Sequence, residues 1–285
     1  MKHIELLERL EAIKEIEQEN GKKVITFYRN AENNRGLIDE RSYREFSAAI
    51  DSIGNYDPLM LIIHTMGGSI YYGWRIANCL MNRVGPVTVV VPEEALSTGT
   101  LVTLTASEII MFPRAQLSPV DPQIPHKDEL VPALDLIDSP DILIKKKGKG
   151  SVGLTEEYLN KICKSKVPNS KLNMVVERFL RKDSVHKGHA ASIFFDEIKE
   201  LELPVRQLTI DSVKSLHTKY QRHSFNNLDS STIIEYTHDP LTKDKTLAWE
   251  KVRNILEYFK SGKFDLEETQ ELLKNALDEN QSDFR

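Results

Sequence analysis

Hydrophobic residues follow two different periods along the first half of the chain. Between Ile4 and Ile13 they recur at helical spacing with charged residues between them, which predicts an amphipathic N-terminal helix. The short apolar runs Leu59–Ile63 and Val84–Val91 are continuous instead, as is typical of strands covered on both faces. Such strands alternate with helical segments between residues 23 and 125, and this alternation predicts a parallel sheet with right-handed crossovers.

The later part of the chain is less regular. Ser139–Gly153 holds four lysines and three glycines, so we predict an exposed, mobile loop there. Residues 224–245 are polar and rich in turn-forming residues, and two amphipathic helices are expected between Thr246 and Leu277. The remaining expected elements are strands at Val24–Tyr28 and Glu108–Phe112, and helices that open at Asp39 or span Ile70–Asn82, Leu96–Thr105, Thr155–Leu180 (interrupted at Pro168) and Phe195–Leu203.

The composition is that of an ordinary globular protein of 285 residues, with 40% hydrophobic and 28% charged residues. A net charge of −5 argues against a general nucleic-acid binder, which would carry a basic excess. Cys79 and Cys163 are too few for a disulfide framework or a zinc cluster, so we expect a reducing, cytoplasmic compartment. The longest uncharged run, Pro58–Trp74, is shorter than the roughly 20 residues of a spanning helix. We therefore expect no transmembrane segment, and a peripheral membrane contact stays open.

A pair of glycines follows the strand Leu59–Ile63, in the segment His64-Thr-Met-Gly-Gly-Ser69. Paired glycines allow backbone angles that other residues avoid, and they let a ligand approach the amide groups closely. Because they precede a predicted helix, the N–H groups of Gly67 and Gly68 can form an anion site. Taken alone, a glycine pair after a strand is usually structural, and His64 is expected to be a buried residue that shapes the turn.

Ser97 lies between the next strand and a helix of small residues, in Ala95-Leu-Ser-Thr-Gly-Thr100. A serine in this position is most often an N-cap. Here the serine and the glycine pair both follow carboxyl ends of strands in one parallel sheet, which is where open α/β sheets place their sites. One feature offers amide donors and the other a hydroxyl that a base can activate, so the combination indicates nucleophilic catalysis.

Three segments carry a family resemblance: residues 59–80 (LMLIIHTMGGSIYYGWRIANCL), residues 87–124 (VTVVVPEEALSTGTLVTLTASEIIMFPRAQLSPVDPQI) and, more weakly, residues 188–205 (GHAASIFFDEIKELELPV). Together they resemble the ClpP/crotonase superfamily and, more narrowly, the serine dehydrogenase proteinase family, which is related to signal peptide peptidase A. The resemblance implies an α/β fold of stacked βαβ units with a parallel-rich sheet and outer helices. It also implies a serine peptidase that acts on peptides or proteins, needs no cofactor and forms homo-oligomers.

The resemblance assigns roles to residues of the two motifs. Ser97 corresponds to the nucleophile, and the amide of Gly67 or Gly68 would form the oxyanion hole together with that of Thr98. Met66 departs from the family, which usually has proline before the glycine pair.

The resemblance defines the general base less clearly. The signal peptide peptidase branch uses a lysine from a later helix, and Glu157–Ser165 resembles that helix with Lys164 at the matching position. Lys161 and Lys166 are nearby alternatives. A lysine base must be neutral, so its pKa must be lowered by burial.

Histidines offer a second choice of base. Val120 stands roughly where ClpP has its histidine, which indicates that a Ser-His-Asp triad of the ClpP type is absent. His186 and His189 precede the segment that in ClpP follows the triad acid, and they are the alternative bases. This histidine pair lacks a third ligand, so we expect no metal site.

Two further functions stay open at this point. One is a crotonase-like enzyme that acts on a coenzyme A thioester through the same oxyanion hole, and the other is a non-catalytic homo-oligomeric scaffold. We divide the chain into an N-terminal helix (1–22), a ClpP/crotonase-like catalytic domain (23–223) and a polar linker with a C-terminal helical appendage (224–285). The terminal helices are expected either to form subunit interfaces or to pack on their own domain.

Overall fold

The computed structural model divides into two compact units, Met1–Tyr236 and Thr237–Arg285. All helices and strands given below belong to the first unit. The residues that the structure describes are 2–29, 37–126, 129–182, 191–222 and 232–238.

A six-stranded sheet forms the centre of the fold, in the order β10-β1-β2-β3-β5-β9. Every neighbouring pair is parallel except β10 with β1, which is antiparallel. Two small two-stranded sheets, β4-β6 and β7-β8, lie outside it. The strands are β1 (Lys23–Arg29), β2 (Leu59–His64), β3 (Val87–Val91), β4 (Glu94–Ala95), β5 (Glu108–Met111), β6 (Gln116–Leu117), β7 (Gln123–His126), β8 (Glu129–Pro132), β9 (Val205–Gln207) and β10 (Thr232–Tyr236).

Helices pack on both faces of the central sheet. On one face, Tyr28 of β1 stacks on Tyr220 of α8. His64 pairs with Tyr28 and lies beside His217 of α8 on this face. Thr65, the next residue, therefore points to the other face, where a Cβ on Gly99 in α4 would meet its side chain. The helices are α1 (Lys2–Asn20), α2 (Glu40–Asp51), α3 (Ile70–Met81), α4 (Thr98–Thr103), α5 (Ile142–Cys163), α6 (Asn169–Phe179), α7 (Phe195–Glu200) and α8 (Asp211–Arg222), and a 3-10 turn spans Ala133–Leu136.

The apolar runs in the sequence became buried strands, as expected for a covered parallel sheet. All six residues of β2 and all five of β3 are buried. The family-type α/β architecture with a parallel-rich sheet and outer helices is therefore confirmed. The N-terminal helix α1 packs on its own domain, since Ile13 and Ile16 are fully buried in the common core.

The prediction of a mobile loop at Ser139–Gly153 is wrong, because most of this segment belongs to the long helix α5. The carboxylate of Asp141 caps this helix by accepting hydrogen bonds from the N–H groups of residues 143 and 144, at 2.8 and 3.2 Å. Gly148 and Val152 face a small second core that includes Ala133. The composition of the segment suggests a loop, but these inward-facing residues recur at helical spacing, which composition alone does not reveal.

The polar segment 224–245 contains a strand that we did not expect. β10 (Thr232–Tyr236) pairs with β1, so the central sheet continues into the region that the sequence assigned to the C-terminal linker. The two helices expected between Thr246 and Leu277 lie outside the described residues. In the described ranges, no helix is both long and apolar enough to cross a membrane.

Candidate active site

Ser97 stands at a strained turn between β4 and α4. Its backbone has φ +50° and ψ −118°, a positive-φ conformation that L-residues rarely adopt and that costs about 1–3 kcal/mol. Ser97 occupies the N-cap position of α4, but its side chain makes no capping hydrogen bond, so the hydroxyl does not have the capping role that is usual for a serine here. Among the described residues, no partner hydrogen-bonds to the Ser97 hydroxyl, which is left available for chemistry.

The glycine pair forms a second unusual turn, between β2 and α3. Gly67 has φ +96° and Gly68 has φ +144°, and both values lie where L-residues are strained. Ile38 pairs with this turn, because its N–H donates to the Gly67 carbonyl at 2.6 Å and its carbonyl accepts from Ser69 at 2.8 Å. A Cβ on Gly68 would lie 2.4 Å from the Ile38 backbone, so only glycine fits.

The two turns meet at one point. A Cβ on Gly67 would lie 2.8 Å from the Ser97 Cβ and 3.1 Å from the Thr98 nitrogen. The hydroxyl of Thr98 donates to the Gly68 carbonyl at 2.9 Å and ties the start of α4 to the glycine turn. The structure thus brings together the four residues that the sequence placed at the serine and the oxyanion hole.

Of the four amide groups at this junction, two are engaged and two remain available. The engaged ones are the N–H of Gly67, which donates to the Thr65 hydroxyl at 3.2 Å, and the N–H of Ser97, which donates to the Ser118 hydroxyl at 2.7 Å. Within the described ranges, the N–H groups of Gly68 and Thr98 have no acceptor. Two free donors beside a hydroxyl can stabilise an oxyanion that forms when the hydroxyl attacks a carbonyl carbon.

The three candidate lysines lie at the other edge of the sheet. Lys166 donates to the carbonyl of Ala106, in the turn that precedes β5, and so lies near the amino ends of the strands. Ser97 follows the carboxyl ends, and the whole of α4 separates it from Ala106. Lys164 closes α5 on the same side as Lys166 and is exposed, and Lys161 pairs with Glu157 at 2.6 Å. The structure does not bring these lysines to Ser97.

Lys166 has the lowered pKa that a lysine base needs, but in the wrong place. Burial lowers the pKa of its ammonium to about 8. The same burial raises the pKa of the neighbouring Cys163 thiol to about 12. In the described residues, neither group contacts the serine turn, and a lowered lysine pKa is therefore not by itself a mark of catalysis here.

His64 is the buried histidine that the sequence indicated. Burial, with His217 and Arg29 nearby, lowers its pKa to about 3, so it is neutral. Its ring lies 5.5 Å from that of His217 and 5.7 Å from that of Tyr28, on the sheet face opposite α4. His64 is therefore not a partner for Ser97.

The position where ClpP has its histidine is part of the core. Val120 is buried, and its N–H donates to the Phe179 carbonyl at 2.6 Å. The next residue, Asp121, forms a buried ion pair with Arg181 at 3.3 Å, which ties up this carboxylate. The two alternative bases, His186 and His189, lie outside the described residues and stay predictions. Where side chains are described, no group of three or more metal-ligating residues could hold a metal ion.

The family profile of the ClpP-like SDH-type serine proteinases matches residues 1–248. The chain belongs to this family. The match confirms the resemblance seen in the motifs and identifies a peptidase-type protein. Two uncharacterized proteins of Methanocaldococcus jannaschii are similar to it: MJ1495 is 28% identical over 222 residues (72% of this chain and 74% of the relative), and MJ0137 is 28% identical over 231 residues (76% and 79%).

Solved structures of similar shape are distant in sequence. A variant of the 1510-N membrane-bound stomatin-specific protease is 14% identical, with a TM-score of 0.45, over 63% of this chain and 79% of that one. ClpP1 from Listeria monocytogenes is 15% identical, with a TM-score of 0.43, over 66% of this chain and 94% of that one.

Proposed function

We propose that this SDH-type proteinase hydrolyses peptide bonds through an acyl-enzyme formed on Ser97. The observation that carries the proposal is the junction of the strained Ser97 turn with the free N–H groups of Gly68 and Thr98. Strain is retained where the surrounding structure enforces it, and it is common at nucleophiles. The substrate class, a peptide or protein, follows from membership of the proteinase family.

In the proposed reaction, the Ser97 hydroxyl oxygen attacks the carbonyl carbon of the substrate and loses its proton to a general base. The carbonyl oxygen becomes an oxyanion, which accepts hydrogen bonds from the amides of Gly68 and Thr98. Collapse of the tetrahedral intermediate expels the amine, which takes up a proton, and water then hydrolyses the ester on Ser97. Gly67 serves the site differently, because its own N–H is engaged by Thr65.

The lysine base, Lys164, remains a prediction from the sequence. Its position at the amino edge of the sheet disfavours it within a single chain, because α4 lies between that edge and Ser97. Lys161 and Lys166 lie at the same edge and are disfavoured for the same reason, whereas His186 and His189 remain the alternatives. The mechanism needs a base but does not depend on which of these residues provides it.

A homo-oligomeric, cytoplasmic enzyme stays an expectation, which light scattering and cell fractionation can check.

The strained serine favours hydrolysis over the two other functions. A crotonase-like enzyme needs the oxyanion hole for its thioester but has no use for a serine held at φ +50°. A scaffold needs neither. Both remain outcomes of the test below.

The decisive experiment is labelling with a fluorophosphonate, which phosphonylates an activated serine, followed by mass mapping of the modified peptide. We expect a single label on Ser97, no label in Ser97→Ala, and full labelling in the control Ser52→Ala, whose hydroxyl donates only to the Ala49 carbonyl of α2. Hydrolysis of an unfolded protein such as casein should be lost with the label. A folded protein that takes no label, or takes it elsewhere, would refute the proposal.

A further inference from the structure

Ser118 is a buried serine that touches the nucleophile through the backbone. It follows β6, just as Ser97 follows β4, and the two short strands pair in parallel with Ala95 opposite Leu117. The Ser118 hydroxyl accepts the N–H of Ser97 at 2.7 Å, and it donates to the Pro119 carbonyl at 3.2 Å. Its exposed fraction is 2%, so solvent does not compete for these bonds.

The Ser118 contact is itself held from two sides. The N–H of Ser118 donates to the Thr100 hydroxyl at 3.1 Å, and this hydroxyl donates in turn to the Ala95 carbonyl at 2.8 Å. Thr100 is fully buried in α4. The end of β4, the first turn of α4 and the end of β6 are therefore joined around Ser97 by a short chain of hydroxyl groups.

We propose that Ser118 is a positioning residue that holds Ser97 in its reactive conformation; the inference rests on the proposed function. An L-residue at φ +50° lies above its relaxed backbone energy, so the turn persists only while its neighbours enforce it. By accepting the Ser97 N–H, Ser118 fixes the peptide that carries the nucleophile.

The same contact separates the roles of the amides. Because the Ser97 N–H is used inside the protein, it cannot take part in binding the oxyanion, and the hole is left to Gly68 and Thr98. Loss of the Ser118 hydroxyl would leave a buried donor without an acceptor, and the peptide would be free to rotate toward relaxed angles. The hydroxyl of Ser97 would then move relative to the hole.

The test measures the rate constant for fluorophosphonate labelling of Ser97 together with thermal stability. Ser118→Ala should slow labelling and kcat by about 10- to 100-fold, since small displacements of a reacting group cost about this much, and KM should stay unchanged. Ser118→Thr keeps the acceptor oxygen and should recover most of the rate. If the alanine variant folds poorly, Ser118→Cys replaces the hydroxyl with a weak acceptor of similar shape and should show the same slowing.

A matched control separates positioning from general stability. Ser107 makes the same kind of bonds at the opposite edge of the sheet, where its hydroxyl accepts the Val87 N–H at 3.1 Å and donates to the Val87 carbonyl at 2.8 Å. Ser107→Ala should leave the labelling rate unchanged. The inference falls if Ser118→Ala and Ser118→Cys label as fast as the unmodified protein, or if Ser107→Ala slows labelling equally. If the unmodified protein takes no label, the proposed function falls first.

Discussion

Gly67 lies so close to Ser97 that a Cβ on the glycine would be 2.8 Å from the Cβ of the serine. The same Cβ would approach the Leu96 carbonyl to 2.7 Å. This close approach arises because Thr65, just before the glycine turn, pairs in parallel with Ala95, just before the serine turn. The relationship explains why glycine is needed at a position whose own amide is already engaged.

Substitution of Gly67 should therefore disrupt both the fold and the site. Gly67→Ala forces a side chain into contact with Ser97 at φ +96°, which should lower the free energy of unfolding by about 1–3 kcal/mol. Fluorophosphonate labelling should be lost even at temperatures where the variant is folded. Urea denaturation and labelling measure the two effects.

The control for this prediction is Gly153→Ala in α5. A Cβ there meets nothing within 4 Å, so labelling should be retained, and stability should be unchanged or slightly raised through helix propensity. Normal labelling of a folded Gly67→Ala variant would contradict the close packing of the two turns.

The junction of Ser97 and the glycine pair could be predicted from the sequence, because it depends only on the position of two strands and on their parallel direction. The apolar runs marked two neighbouring strands, and parallel strands place the residues that follow them at one edge. The contact with Ser118 could not be predicted in this way. It depends on the pairing of two-residue strands whose sequences carry no period, and on hydrogen bonds between groups 21 residues apart.

The location of the candidate lysines could not be predicted from the sequence. The motif placed Lys164 on a helix, and the structure has it at the end of α5, but the sequence did not define which edge of the sheet that end would reach. The first half of the same helix was not predicted, because its many lysines and glycines indicate a loop more strongly than the helical spacing of Ile144, Gly148 and Val152 indicates a helix. Asp141 as an N-cap was the signal that would have identified it.

The position of Lys164 gives a direct prediction for the base. Lys164→Ala should label Ser97 at the unmodified rate, because α4 separates the amino edge of the sheet from the serine. If His186 or His189 is the base, its alanine variant should lose roughly 10²–10⁴-fold in kcat, the usual contribution of a general base.

The pH dependence distinguishes the same alternatives. A histidine base should give activity that rises around pH 6.5, since its neutral form is the working form. A loss of two orders of magnitude in Lys164→Ala, with a rise at the higher pH of a lysine, would restore the assignment made from the motif.

Two glycines of α5 provide a paired test of the corrected helix. Gly148 packs on the 3-10 turn, where a Cβ would lie 2.9 Å from the Ala133 carbonyl, so Gly148→Ala should destabilise the protein by about 1–3 kcal/mol through overpacking. Gly150 has open space around it, so Gly150→Ala should stabilise the protein by up to about 1 kcal/mol through helix propensity. Urea denaturation of both variants measures the difference. Equal, negligible effects would be the signature of the mobile loop that composition suggested.

The buried His64 should make the protein sensitive to mild acid. Its pKa is lowered to about 3 by burial, His217 and Arg29, whereas in the unfolded chain it takes up a proton near pH 6.5. Between these pH values the unfolded state binds more protons than the folded state. The contribution of His64 to the free energy of unfolding is therefore fully present above about pH 6.5 and falls as the pH decreases toward 3. Between pH 7 and pH 5, proton uptake by this one group lowers the free energy of unfolding by about 2 kcal/mol. Urea denaturation at the two pH values should show a smaller loss of stability in His64→Gln than in the unmodified protein. An undiminished loss in His64→Gln would mean that His64 is protonated in the folded protein.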